Sequence, residues 1–126
     1  MFVGTGAGLP SYLGIEGEGL NGVMVANELL TRVNLMKAYE FPAYDTPVYA
    51  GKRVVVVGGG NVAMDCARTA VRAGAEEVSV VYRRRKEDMT ALPAEVESAV
   101  AEGVELVVLQ APVGIEADGD GRCTAL

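Results

Sequence analysis

Hydrophobic positions along this chain change their period twice. Between Val23 and Tyr39 the apolar residues Val23, Ala26, Leu29, Leu30, Val33 and Met36 recur at three- and four-residue steps, the spacing of one helical face. The next segment, "EFPAYDTPVYAGK", contains Pro42 and Pro47 and predicts a linker without regular structure. From Arg53 short β-branched runs alternate with helical patterns. They predict a strand at Arg53–Val57, a helix at Val62–Ala73 closed by Gly74 and a strand at Val78–Tyr82, then a helix at Pro93–Glu102 closed by Gly103 and a strand at Val104–Gln110. Beyond Pro112 the stretches "VGIEA", "DGDG" and "RCTAL" predict a β-hairpin. Strand–helix–strand–helix–strand calls for right-handed crossovers. The expected fold class is therefore α/β: a Rossmann-like parallel sheet with flanking helices plus a C-terminal hairpin. The glycine-rich opening "VGTGAGLP" and a chain end inside a hairpin arm lead us to expect a piece of a longer protein.

Composition narrows the chemistry. With 126 residues, half of them hydrophobic, the chain fits one domain with a real core. It contains no histidine, which rules out a Ser-His-Asp triad, a His-paired cysteine and a His-ligated metal within it. Cys66 and Cys123 form no C-x-x-C pair, so no metal site is expected, and free thiols in a reducing compartment, with a cytoplasmic location, are. Apolar runs such as Val54–Val57 are too short to span a membrane, and no signal segment opens the chain.

Immediately after the first predicted strand, "VVVVGGGNVAMD" sets Gly58, Gly60 and Ala63 in the order G-x-G-x-x-A. In a dinucleotide fingerprint the first glycine permits the tight turn and the second lets a pyrophosphate approach the backbone. The small third residue lets helix and strand pack closely. The helix start near Asn61 and Val62 would offer unpaired amides to that pyrophosphate. The bland alternative is a tight turn that needs small residues. Asp65 has a sufficient explanation in the helix dipole, and Cys66, among buried alanines, reads as core.

The net charge is −6, yet Arg83, Arg84, Arg85 and Lys86 stand side by side in "YRRRK". A nucleic-acid surface needs a broad basic face, so this patch suits one small anion better. It falls at the end of the second predicted strand, where an acidic residue would bind the ribose of NAD. Instead Arg83 and Arg84 can offer forked, charge-assisted hydrogen bonds to the 2′-phosphate of NADPH. Arg85 and Lys86 would only add to the field, and a solvated turn is the bland alternative for the whole run. Tyr82 to Lys86 also spells Y-x-x-x-K, the catalytic pair of short-chain dehydrogenases, but there it lies on a later helix of a longer chain. "VGTGAG" is followed by Pro10 and opens no helix, so it is no second fingerprint.

The stretches "VGTGAGLP", "GVMVANELLTRVNLMKAY", "VVVVGGGNVAMDCARTA", "GAEEVSVVYRRRKEDMTA" and "EGVEL" resemble, in order, the NADPH-binding part of flavin-dependent oxidoreductases of the glutamate synthase small-subunit type. Related ferredoxin:NADPH oxidoreductase subunits share the pattern, and G-x-G-N-V-A-x-D is similar to adrenodoxin reductase relatives. The resemblance implies that residues 1–38 are a flank and helix derived from a flavin domain, with Gly4 and Gly6 close to the flavin. It makes 39–52 a linker and 53–126 the NADPH-binding domain. It implies that Gly58, Gly59, Gly60, Asn61 and Val62 hold the pyrophosphate and that Arg83 and Arg84 hold the 2′-phosphate. It further implies NADPH and, in the parent protein, FAD as cofactors. The partners expected are the flavin domain and either a glutamate synthase large subunit or a ferredoxin-type electron partner.

Thr90 stands where relatives commonly have proline and Ser98 where they often have histidine, so no role is assigned to that segment. No residue is expected to act as acid, base or nucleophile, and the chain alone is expected to be inactive, since the FAD fingerprint is missing. Two rivals differ in kind. A stand-alone nucleotide sensor should have complete edges, and a methyltransferase typically ends its second strand in an acidic residue.

Overall fold

A computed structural model describes residues 13–20, 22–34, 53–121 and 123–126 of the chain. Helix α1 is Ala26–Asn34, strand β1 Arg53–Val57, helix α2 Asn61–Arg72 and strand β2 Glu77–Tyr82. A 3-10 turn at Lys86–Asp88 leads to helix α3, Pro93–Ala101, and strand β3, Glu105–Val108. Strands β4, Glu116–Ala117, and β5, Cys123–Ala125, follow. The first three strands form a parallel sheet in the order β1-β2-β3, with Val54 opposite Val78 and Val80 opposite Leu106. β4 and β5 pair antiparallel, with Asp118 to Gly121 making the turn. The α/β reading holds, hairpin included.

The alternation of the strands explains which side is packed. Val56, Val78 and Val80 are buried and meet the small face of α2, where Ala63, Ala67 and Ala70 let the helix approach the sheet closely. Met64 and Val80 are completely enclosed, and Val96, Ala99 and Val104 carry the core under α3 and into β3. Burial of each such valine is worth about 1.5–3 kcal/mol relative to leaving it exposed. Leu29 of α1 joins the same core.

Both α2 and α3 end as expected from their glycines. Gly74 has φ +100° and Gly103 φ +99°, while Ala75 N–H reaches Ala70 O and Val104 N–H reaches Ala99 O. These bonds satisfy carbonyls that a helix end otherwise leaves open. Among the helices and parallel strands, two described boundaries move by more than one residue. The first helix begins at Ala26 rather than Val23, and residues 35–39 lie outside those described, as do Gly4, Gly6 and the linker at 39–52. The third strand stops at Val108 rather than Gln110 because Leu109 adopts φ +59°, which no extended strand can accommodate.

Candidate functional site: the carboxyl ends of the strands

The turn between β1 and α2 meets the end of β2. Gly58 has φ +144°, a backbone region essentially reserved for glycine, and its N–H donates to Val81 O at 3.0 Å. A β-carbon at Gly58 would also touch Cβ of Ala63 at 3.4 Å, so the third small residue does bring helix and turn together. Gly59 is buried against a ring: a β-carbon there would stand 2.5 Å from Cε2 of Tyr82. At Gly60 the corresponding position is open apart from Thr90 Oγ1 at 3.4 Å. Gly60 is also the N-cap of α2, and no side chain caps that end. The structure therefore presents a bare helix start beside an open glycine.

Asn61 and Val62 take different places. The Oδ1 of Asn61 accepts from Leu92 N–H at 2.9 Å, pinning a neighbouring segment, and Val62 is an exposed side chain on the first turn of α2. Arg83 and Arg84 lie directly after β2, both exposed. Neither guanidinium has a hydrogen bond or ion pair with another described residue. Arg85 differs, since its Nε and Nη2 fork onto the Asp88 carboxylate at 3.1 and 3.4 Å. The basic run thus separates into one internally neutralised arginine and two open ones. The backbone of this turn is held from β3's side, with Leu109 N–H donating to Arg84 O and Gln110 N–H to Tyr82 O, each at 3.2 Å.

Four features were not legible as site elements in the sequence: Tyr82, Asp88, Thr90 and Leu109. The Tyr82 ring fills the space beside Gly59 while its hydroxyl donates to Asp88 O at 2.9 Å. Ala91 N–H donates to Gly59 O at 3.0 Å, so the segment after the arginines folds back onto the glycine loop. The φ > 0 of Leu109 and the phenol of Tyr82 are each tied to backbone contacts that no periodicity reports. Both cysteines are free thiols. Burial pushes the Cys66 thiol up to about 11, so it is un-ionised at neutral pH and inert as a nucleophile.

A parallel sheet whose first strand runs through a glycine turn into a bare helix start defines a Rossmann-type dinucleotide-fold unit, with its open groups at the carboxyl ends of the strands. The T. acidophilum thioredoxin reductase has this fold: it superposes with a TM-score of 0.64 at 20% identity, over 92% of this chain and 33% of that one. The profile of the family described as pyridine nucleotide-disulphide oxidoreductase matches residues 1–125, and the chain belongs to that family. It is 40% identical over 129 residues to the glutamate synthase [NADPH] small chain of Escherichia coli (strain K12), a match that covers all of this chain and 27% of the relative. It is 42% identical over 120 residues to the NADP(+)-dependent formate dehydrogenase subunit beta of Moorella thermoacetica, covering 94% of this chain and 16% of the relative. The chain thus spans about a quarter or less of the length of these two oxidoreductases.

Proposed function

We propose that this chain is the NADPH-binding part of an FAD-dependent oxidoreductase of the glutamate synthase small-subunit type. The observation that carries the reading is one juxtaposition. The open Gly60 at the uncapped start of α2 and the unpaired Arg83 and Arg84 stand at the same end of the sheet, joined through the Gly58 N–H···O Val81 bond. The residues fit the cofactor: a side chain at Gly60 would occupy the approach that a pyrophosphate needs, and the two guanidinia have no carboxylate to satisfy them among the described residues.

In this reading Gly58 sets the turn and Gly59 packs it against Tyr82, while Gly60, with the amides of Asn61 and Val62, receives the pyrophosphate. Arg83 and Arg84 select the 2′-phosphate. When bound, the nicotinamide supplies a hydride to a flavin, and the rest of the chain's work is to bind and orient. Residues 53–126 form the nucleotide unit, 1–38 the flank toward a flavin domain and 39–52 the linker between them. The flavin lies in other parts of a cytoplasmic parent protein. A glutamate synthase large subunit or a ferredoxin-type protein is the electron partner.

The test is Gly60→Val. A β-carbon there meets only Thr90 Oγ1, at 3.4 Å, so the variant should keep a far-UV circular dichroism spectrum like that of the unaltered chain. Calorimetry should detect no NADPH binding. Unchanged affinity would reduce the loop to a turn.

A further inference from the structure

The segment between the arginines and α3 is tied down on both sides of one side chain. Tyr82 Oη donates to Asp88 O at 2.9 Å and Met89 N–H to Lys86 O at 3.2 Å. Ala91, which is buried, gives its N–H to Gly59 O at 3.0 Å, and Leu92 N–H reaches Asn61 Oδ1 at 2.9 Å. Thr90 falls between these fixed points. Its side chain is exposed and has no hydrogen-bond partner among the described residues. Its Oγ1 lies 3.4 Å from the position a Gly60 β-carbon would occupy. That position is the space a fingerprint's second glycine leaves open for a pyrophosphate.

From this placement we infer that the Thr90 hydroxyl donates a hydrogen bond to the diphosphate of the bound dinucleotide, closing the cradle beside Gly60. The inference rests on the dinucleotide reading above and adds a binding residue that the glycine motif does not contain. A hydroxyl suits the position because it offers a donor to an anionic diphosphate oxygen without bringing a charge that would compete with Arg83 and Arg84 for the 2′-phosphate. The tethers matter as much as the hydroxyl. Because Ala91 and Leu92 are bonded to the loop itself, Thr90 is held in place before any ligand arrives, and little ordering accompanies binding. The contact is to a group that NADPH and NADH share, so it sets affinity for both and preference for neither.

Isothermal titration of the chain with NADPH and with NADH separates this role from that of the arginines. Thr90→Val, which keeps the shape and removes the donor, should weaken both cofactors by roughly tenfold and leave their ratio unchanged. Thr90→Ser, which restores the donor, should bind within about twofold of the unaltered chain. The proposal is overturned if Thr90→Val binds both cofactors normally, if Thr90→Ser loses as much as Thr90→Val, or if only NADPH is weakened. Absence of binding by the unaltered chain would instead remove the dinucleotide reading and this proposal with it. Normal binding by the unaltered chain and by Thr90→Val together would remove the proposal alone.

Discussion

At Gly59 a β-carbon would be driven to within 2.5 Å of a Tyr82 ring held by its bond to Asp88 O, whereas one residue later the same atom would meet only Thr90 Oγ1 at 3.4 Å. Neighbouring glycines therefore fail in different ways. Gly59→Ala should lower stability by about 1–3 kcal/mol in chemical denaturation, because an overpacked site has to displace the ring. A denaturation midpoint equal to that of the unaltered chain would show that the ring yields freely. The motif spacing made Gly58 and Ala63 legible in the sequence, since the turn at Gly58 needs a positive φ and Ala63 packs against it, whereas the fold alone places no such demand on Gly60. Gly59 sits at the motif's variable position, and its demand comes from a ring at the end of another strand. No local pattern could report that, and the same applies to Thr90, which the fold brings to Gly60 from far along the chain.

Elements were legible where their ends carry a chemical signal and less so where tertiary contact decides. Pro93 opens α3, and Gly74 and Gly103 close α2 and α3, each by a mechanism visible in the sequence. The end of β3 depends on Leu109 leaving the extended region to pair with Arg84 O, and periodicity carries no trace of that. The lock between α2 and α3 was equally hidden. Arg68 of α2 bonds Glu102 just past α3 and reaches Glu95 at 3.2 Å, while Arg72 meets Glu102 at 3.0 Å. The Arg68 hydrogen bond, with help from Arg72, holds the Glu102 carboxyl below the usual glutamate range. A depressed carboxylate contributes stability that is present above its unfolded value, about 4.3, and lost as pH falls through the folded one. Glu102→Gln should therefore lower the thermal midpoint by a few degrees at pH 7. The gap to the unaltered chain should close as pH drops below about 4. A gap that persists unchanged at pH 3 would mean the charge of Glu102 is not its source.

At the scale of the whole molecule, an acidic chain keeps two adjacent guanidinia unpaired among the described residues while a third, Arg85, is neutralised by Asp88. Family membership accounts for the fold and the glycine turn but leaves open which nicotinamide cofactor is preferred. NADPH differs from NADH only by its 2′-phosphate. Charge-assisted hydrogen bonds to it contribute about 1.5–3 kcal/mol each before solvent exposure reduces them. The net expectation is a preference of about a hundredfold, or ~2.7 kcal/mol. It should shrink with added salt, because exposed charges are screened over about 8–10 Å at ordinary ionic strength. The most direct test is calorimetric titration of the unaltered chain and of the Arg83→Ala/Arg84→Ala double variant with both cofactors. The double variant should lose most of the hundredfold through weaker NADPH binding, with NADH affinity almost unmoved. Equal binding of the two cofactors by the unaltered chain, or equal loss of both by the double variant, would contradict the assignment of these arginines to the 2′-phosphate.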